Sequence, residues 1–196
     1  MTDTYAARRE RMERAIERVK AWMQAHGAAA LVENLESGAL PERLDACETE
    51  VGFPLTPDLR ALWSIHAGQK LELDGFVGAM DLLGPEGAAG DSEQVTLSVA
   101  SLRKDPATWD EAGVTKAEME SDAWVSFAGR GYADLLVVSA ATGSVFYCGK
   151  DSPPLRFVAL SILDWLEAYA DRVEAGAYAV EEGFGQCYLA RDTAMY

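Results

Sequence analysis

The sequence predicts a single α+β domain in which helices flank an antiparallel sheet. Three observations lead there: apolar residues at helical spacing before residue 70, three closely spaced β-rich runs between 124 and 148, and a strongly amphipathic stretch after Pro154. With 196 residues, 49% of them apolar, the chain can bury one core of ordinary size, and its length favours one domain over two. Five Trp, seven Tyr and six Phe supply that core with large side chains of demanding geometry. A mean hydropathy of −0.07 is that of a globule rather than of a disordered or membrane chain.

Met12, Ile16, Val19 and Met23 make one apolar stripe on an Arg/Glu-rich segment, which predicts a helix from about Tyr5 to His26 ended by Gly27. Its arginines are expected on a solvated face with glutamate partners nearby. Pro41 suits the first turn of a second helix, with Leu44, Ala46, Cys47 and Val51 on its inner face and Gly52 at its end. Thr56-Pro57-Asp58 then reads as an N-cap, a first-turn proline and an acid at the positive helix end. Leu59, Leu62, Trp63 and His66 follow at helical spacing before Gly68.

From Leu71 the pattern changes. Gly75 to Gly78 and Met80 to Leu83 read as short strands, and Gly84 to Gly90 as a loop; Val95 to Leu102 fits either helix or strand. The acid-rich stretch from Arg103 to Asp122 is expected as a surface excursion on the sheet. Trp124 to Ala128, Tyr132 to Ser139 and Ser144 to Cys148 read as neighbouring strands, the last two joined by the short connection Ala140-Ala141-Thr142-Gly143. After Pro153 and Pro154, Val158, Ile162, Trp165, Leu166, Tyr169 and Val173 predict an amphipathic helix that covers the sheet and ends at Gly176.

The net charge is −15, unevenly spread: up to His26 six basic residues face four acids, and beyond it 11 face 28. Such a field repels nucleic acid and anionic membranes and draws in basic partners at low ionic strength. The N-terminal segment lacks the basic stub and apolar run of a signal peptide, and no stretch approaches the roughly 20 apolar residues that span a bilayer. Cys47, Cys148 and Cys187 are odd in number and far apart, which excludes a disulfide framework and a CxxC pair and implies reduced thiols in a cytoplasmic protein.

Catalytic and metal signatures are missing. His26 and His66 have no Cys or His at metal spacing, and there is no nucleophile elbow for His66 to serve. Gly149-Lys150-Asp151-Ser152 fails as a phosphate loop, because Ser144 stands where the upstream Gly belongs and Asp151 where the metal-binding Ser/Thr belongs. Gly129-Arg130-Gly131 precedes a strand, where a dinucleotide fingerprint would follow one, and reads as a turn. No catalytic residue, metal ligand or cofactor is therefore assigned.

The run from Glu48 to Trp63, Glu-Thr-Glu-Val-Gly-Phe-Pro-Leu-Thr-Pro-Asp-Leu-Arg-Ala-Leu-Trp, ending at Ala67-Gly68, resembles the opening of the SMI1/KNR4 (SUKH) superfamily. Thr56 stands where the family usually has an apolar residue before proline, and Ala67 where Asn is common. Downstream, Trp124 to Ala128, Gly131 to Val138 and Gly143 to Phe146 are similar to its central strands, and Leu155 to Ala175 to its closing helix. The resemblance implies an α+β domain, with a mixed or antiparallel sheet flanked by helices, over residues 40–178. A helical extension over 1–39 would pack on that body, and 179–196 would be a surface tail.

The resemblance further implies a bacterial immunity protein, a monomer that binds a cognate toxin and performs no turnover. The acidic charge fits a basic partner such as a nuclease. Glu118, Glu120, Asp122, Trp124, Asp134 and Asp151 are the candidate partner-binding residues, acids around an aromatic anchor. Two rivals stand beside this reading: a regulatory scaffold with several weaker partners, and an enzyme whose site would show His66 beside two carboxylates in a cleft.

Overall fold

The computed structural model describes residues 4–70, 75–90, 92–130, 134–149, 154–183 and 186–191. Helix α1 spans Tyr5–Ala25, capped by the Thr4 hydroxyl, which accepts from Ala7 N. The whole stripe Met12, Ile16, Val19 and Met23 is buried. The short α2, Ala29–Glu33, leads to α3, Pro41–Val51, which ends with Gly52 in the left-handed conformation. Helix α4, Pro57–Ile65, opens as its sequence dictates, with the Thr56 hydroxyl accepting from Leu59 N. On its arginine-rich neighbour α1, Arg9 and Arg14 have the expected glutamate partners, Glu13 and Glu10, on the solvated helix surface. Arg8 instead pairs with Asp58, Arg11 with Glu167, and Arg18 with Asp171 and Glu174, so these three arginines join α1 to other helices.

Among the described residues, five strands form one antiparallel sheet in the order β1-β2-β3-β4-β5. They are Asp81–Leu82, Trp124–Arg130, Asp134–Ser139, Val145–Cys148 and Leu155–Ala159. Both faces are covered. Leu136, Val138, Val145 and Tyr147 turn towards α1, α4 and the helix α9, Ile162–Glu174. Their neighbours Leu135, Val137, Phe146 and Cys148 turn towards a second core. Burial on two sides explains why Leu135-Leu136-Val137-Val138 is uninterrupted apolar sequence. A register shift between Ser126 and Ala128 leaves Phe127 as the extra residue of a bulge, its side chain in the α1–α9 core.

Four expectations are corrected. Residues 84–90 contain the helix α5, Pro85–Gly90, where a loop is expected; Val95 to Leu102, open between helix and strand, lie within α6, Ser92–Arg103. The segment 103–122 is a structural layer: a 3₁₀ turn at Pro106–Thr108, α7 at Trp109–Ala112 and α8 at Lys116–Met119 bury Ala112, Val114 and Met119 with Val95, Val99 and Leu102 in the second core. Its apolar residues are few and its helices about one turn long, so no periodicity announces them. Residues 155–159 form β5, and α9 starts only at Ile162, capped by the Ser161 hydroxyl. Val158 misled because it stands four before Ile162, a helical spacing. Finally, the residues after 178 are no plain tail, since β6, Tyr178–Gly183, pairs with β7, Gln186–Arg191, in an antiparallel ladder.

Two glycines set a close approach between the chain after α4 and the end of β1. A Cβ on Gly68, whose φ is +104°, would stand 2.6 Å from Gly84 N, and a Cβ on Gly84 would collide with the Ala67 carbonyl. The chain leaving α4 thus lies backbone to backbone against the end of β1.

A candidate cleft on the helix-covered face

Where α9 crosses the ends of β3, β4 and β5, the packing opens into a cleft of about 440 Å³. Its floor is a cross-strand row, since Leu136 pairs with Tyr147 and Tyr147 with Arg156. Period-two alternation puts Asp134 on the same face as Leu136, and Arg130 is its partner on β2. Its wall comes from α9, where Trp165, Tyr169 and Arg172 fall on one face at spacings of four and three. Trp165 and Tyr169 are stacked at 5.6 Å, and Tyr178 meets Tyr169 edge-on at 5.3 Å.

The Tyr169 hydroxyl is used twice: it donates to Phe76 O at 2.8 Å and accepts from Gly78 N at 3.0 Å. The 76–78 loop is thereby fixed as the rim. Three guanidinium groups line the cleft. Arg130 is exposed at its mouth; Arg156 is half-buried, 5.2 Å from the Tyr147 ring centroid; Arg172 is half-buried with its Nε in the interior. That Nε is out of contact with solvent and finds no hydrogen-bond partner among the described residues. The Tyr147 hydroxyl donates to the Asp134 carboxylate.

The structure does not gather the five described members of the predicted set into one surface. Asp134 belongs to the cleft, whereas Trp124 lies in the second core, on the opposite side of the sheet. Trp124 is only 6% exposed, edge-on to Phe146 at 5.4 Å, with Nε1 donating to Ser121 O, so it is a packing residue out of a partner's reach. Glu118 is 1% exposed. Its carboxylate accepts from Thr115 N and Oγ1 at 2.7 and 2.8 Å and from Thr142 Oγ1 at 2.6 Å, which ties α8 to the β3–β4 connection. The Thr115-x-x-Glu118 capping box was the signal for this role. Glu120 and Asp122 are exposed, paired with Lys116 and Arg103. Asp151 lies outside the described residues.

Glu118→Ala should therefore cost about 2 kcal/mol of stability, because three donors lose their acceptor, two of them near the surface. Urea denaturation would show it, and an unchanged midpoint would refute the structural role.

His66 is remote from the cleft lining; its Nδ1–H donates to Glu36 O at 2.7 Å. Burial pushes its pKa down, opposed by that hydrogen bond. A depressed folded pKa means that the neutral ring's contribution is present above about pH 6.5 and lost as pH falls through the folded value. His66→Asn, which can keep the donor, should flatten the stability profile between pH 7.5 and 5 relative to the parent, read from melting midpoints; parallel profiles would count against this. Among the thiols, burial pushes Cys47 up to about 11, with help from Glu50, and raises Cys148, so both are poor nucleophiles at neutral pH. The Cys187 side chain lies outside the described set.

No described helix is long and apolar enough to cross a membrane, and no cluster of His, Cys, Asp and Glu among the described residues could hold a metal. Fold and cleft define a helix-clad antiparallel α+β domain with an arginine and aromatic recess. The SMI1 / KNR4 family (SUKH-1) matches residues 38–168, and the chain belongs to that family. Part of the chain is also similar to F-box only protein 3 of Homo sapiens and of Bos taurus, 40% identical over 73 residues in each case. That match covers 33% of this chain and 16% of the relative's length. Helix α1 and the β6–β7 ladder lie outside the family match, yet α1 supplies five buried residues to the main core.

Proposed function

We propose that this SUKH-1 protein is a non-enzymatic binding protein of the bacterial cytoplasm that neutralises a cognate, basic protein toxin by direct contact. The observation that carries the reading is the placement of charge. Arg8, Arg11, Arg18, Arg43, Arg60 and Arg103 are engaged with acids of the same chain, and the chain as a whole carries 32 acids against 17 basic residues. Asp105, Asp110, Glu111, Glu120 and Asp122 stand exposed along the 103–122 layer, with Lys104 and Lys116 as the local counter-charges. This layer is the face offered to a basic partner, whose approach such a field accelerates.

The test is recovery of partners from the host with the tagged chain, followed by association kinetics of any enriched basic protein. One dominant partner, inhibited on binding and associating roughly tenfold or more slowly as salt is raised towards 1 M, would support the reading. Several weak partners would favour the scaffold reading. The short match within F-box only protein 3 supports that alternative, since there the related segment is a minor part of a longer chain.

A further inference from the structure

Three large apolar side chains stand in solvent near one end of the sheet: Tyr5, 48% exposed, Phe157, 43%, and Leu160, 73%. Tyr5 and Leu160 line one shallow recess with Pro57 and Asp164, where α1, α4 and α9 begin. Phe157 comes three residues before Leu160, within about 10 Å even along an extended chain. A bulge leaves both outside the main core. Phe146 pairs with Phe157 and Val145 with Ala159, so Val158 is the extra residue; Val158 and Ala159 pack against the main core, and the residues flanking them stay at the surface. Among the described residues β5 is also the edge of the sheet, with no strand beyond it.

The surroundings of this patch are acidic. The Phe157 ring is edge-on to Phe146 at 5.7 Å, and Gly113 lies against it, since a Cβ on residue 113 would stand 2.8 Å from the Phe157 Cβ. Gly113 ends α7, so the exposed Asp110 and Glu111 of that turn come alongside the patch. Asp164, exposed as well, borders it on the α9 side, and Arg8, the cation that lines the recess, is held by Asp58. Apolar residues at the centre and charges around them are the anatomy of a protein interface. A second copy of this chain would bring the same acids face to face between bodies of net charge −15, whereas a basic protein meets opposite charge on the rim.

We propose that Tyr5, Phe157 and Leu160 form the apolar centre of the contact with the toxin, with Asp110, Glu111 and Asp164 as its rim. The partner meets it with exposed apolar side chains set among lysines and arginines. This rests on the reading of the chain as the binder of a basic toxin, and it locates the contact where the 103–122 layer adjoins β5 and the start of α9. Tyr5 and Phe157 then take the anchoring role expected of Trp124.

The probe is the basic protein recovered from the host with the tagged full chain, purified and followed by surface plasmon resonance. Tyr5→Ala and Leu160→Ser, both at exposed positions, should each weaken its binding about tenfold, chiefly through faster dissociation, with unchanged melting midpoints. Asp110→Asn combined with Glu111→Gln should slow association several-fold at low salt and have little effect near 1 M. Leu40→Ser, at a 70% exposed residue outside the patch, should leave both rates as they are. Benzoylphenylalanine placed at position 160 should cross-link the partner, and at position 40 it should not. Parental affinity in the Tyr5→Ala, Leu160→Ser double variant, or cross-linking from position 40 alone, would overturn the proposal and leave the toxin-binding reading intact. Recovery of no basic partner would overturn both.

Discussion

Trp63→Ala should lower the unfolding free energy by about 4 kcal/mol, the largest single-residue loss expected in this chain. Trp63 sits in α4, is 0% exposed, and is among the largest fully buried side chains. Its removal would leave a void that helices held by ion pairs and caps cannot close. Its indole Nε1 also donates to Leu83 O at 2.8 Å, which links α4 to the end of β1. That carbonyl would lose its partner. For a domain of this size the melting midpoint should fall by roughly 8–16 °C. Trp63→Phe would separate the two contributions, since it retains much of the packing and loses only the hydrogen bond, at about 1–2 kcal/mol. A loss below about 1 kcal/mol for the alanine variant would show that the core relaxes around the site.

Asp58→Ala should cost about 2–3 kcal/mol. Asp58 opens α4, where a carboxylate is favoured by the helix end, but its main work is between elements. Its two oxygens accept from Arg8 Nε and Nη2, both at 2.7 Å, and Oδ2 also accepts from Leu163 N at 3.1 Å. One buried carboxylate thus holds α1, α4 and the first turn of α9 together. Breaking such a pair typically costs more, about 3–5 kcal/mol, but the Arg8 side chain is 30% exposed and regains hydration when released. Arg8→Met should cost less than Asp58→Ala, and the double variant less than the sum, with a coupling of about 1–2 kcal/mol in denaturant titrations. Strict additivity would mean that the ion pair contributes nothing beyond its separate contacts.

Helix ends were the most legible part of the fold. Thr56-Pro57 and Gly52 act within a few residues of themselves, and sequence neighbourhood is enough to read them. The strands β2, β3 and β4 were legible for a similar reason, being β-rich runs with turn residues between them. Elements whose stability comes from partners distant in sequence were not. Helices α7 and α8 are about one turn long and exist because Ala112, Val114 and Met119 close over the sheet. Strand β5 was hidden by the accident that Val158 continues the stripe of α9.

The site followed the same division. Acids were read as surface contacts from their charge, which says nothing about direction, and Glu118 points inward. The cleft was illegible because its three arginines come from β2, β5 and α9, separated by 26 and 16 residues, and only the sheet register brings them together. Arg172 alone offered a hint, as a cation three residues after Tyr169 beside the apolar face of a helix.

The pairing of α1 with α9 has a consequence for how the protein is made. Arg11 meets Glu167 across 156 positions, whereas β2 to β5 pair with their immediate successors. The sheet can assemble from hairpins as the chain leaves the ribosome, and α4 follows α1 early, but the α9 side of the α1 seat is missing until α9 has been synthesised. At about 5–20 residues per second that interval is on the order of ten seconds or more, during which Met12, Ile16, Val19 and Met23 have only α2 and α4 to pack against. Nascent α1 is therefore the segment of this chain most in need of a chaperone, and variants that weaken the α1–α9 seam should lower the soluble yield more than their equilibrium stability alone would suggest.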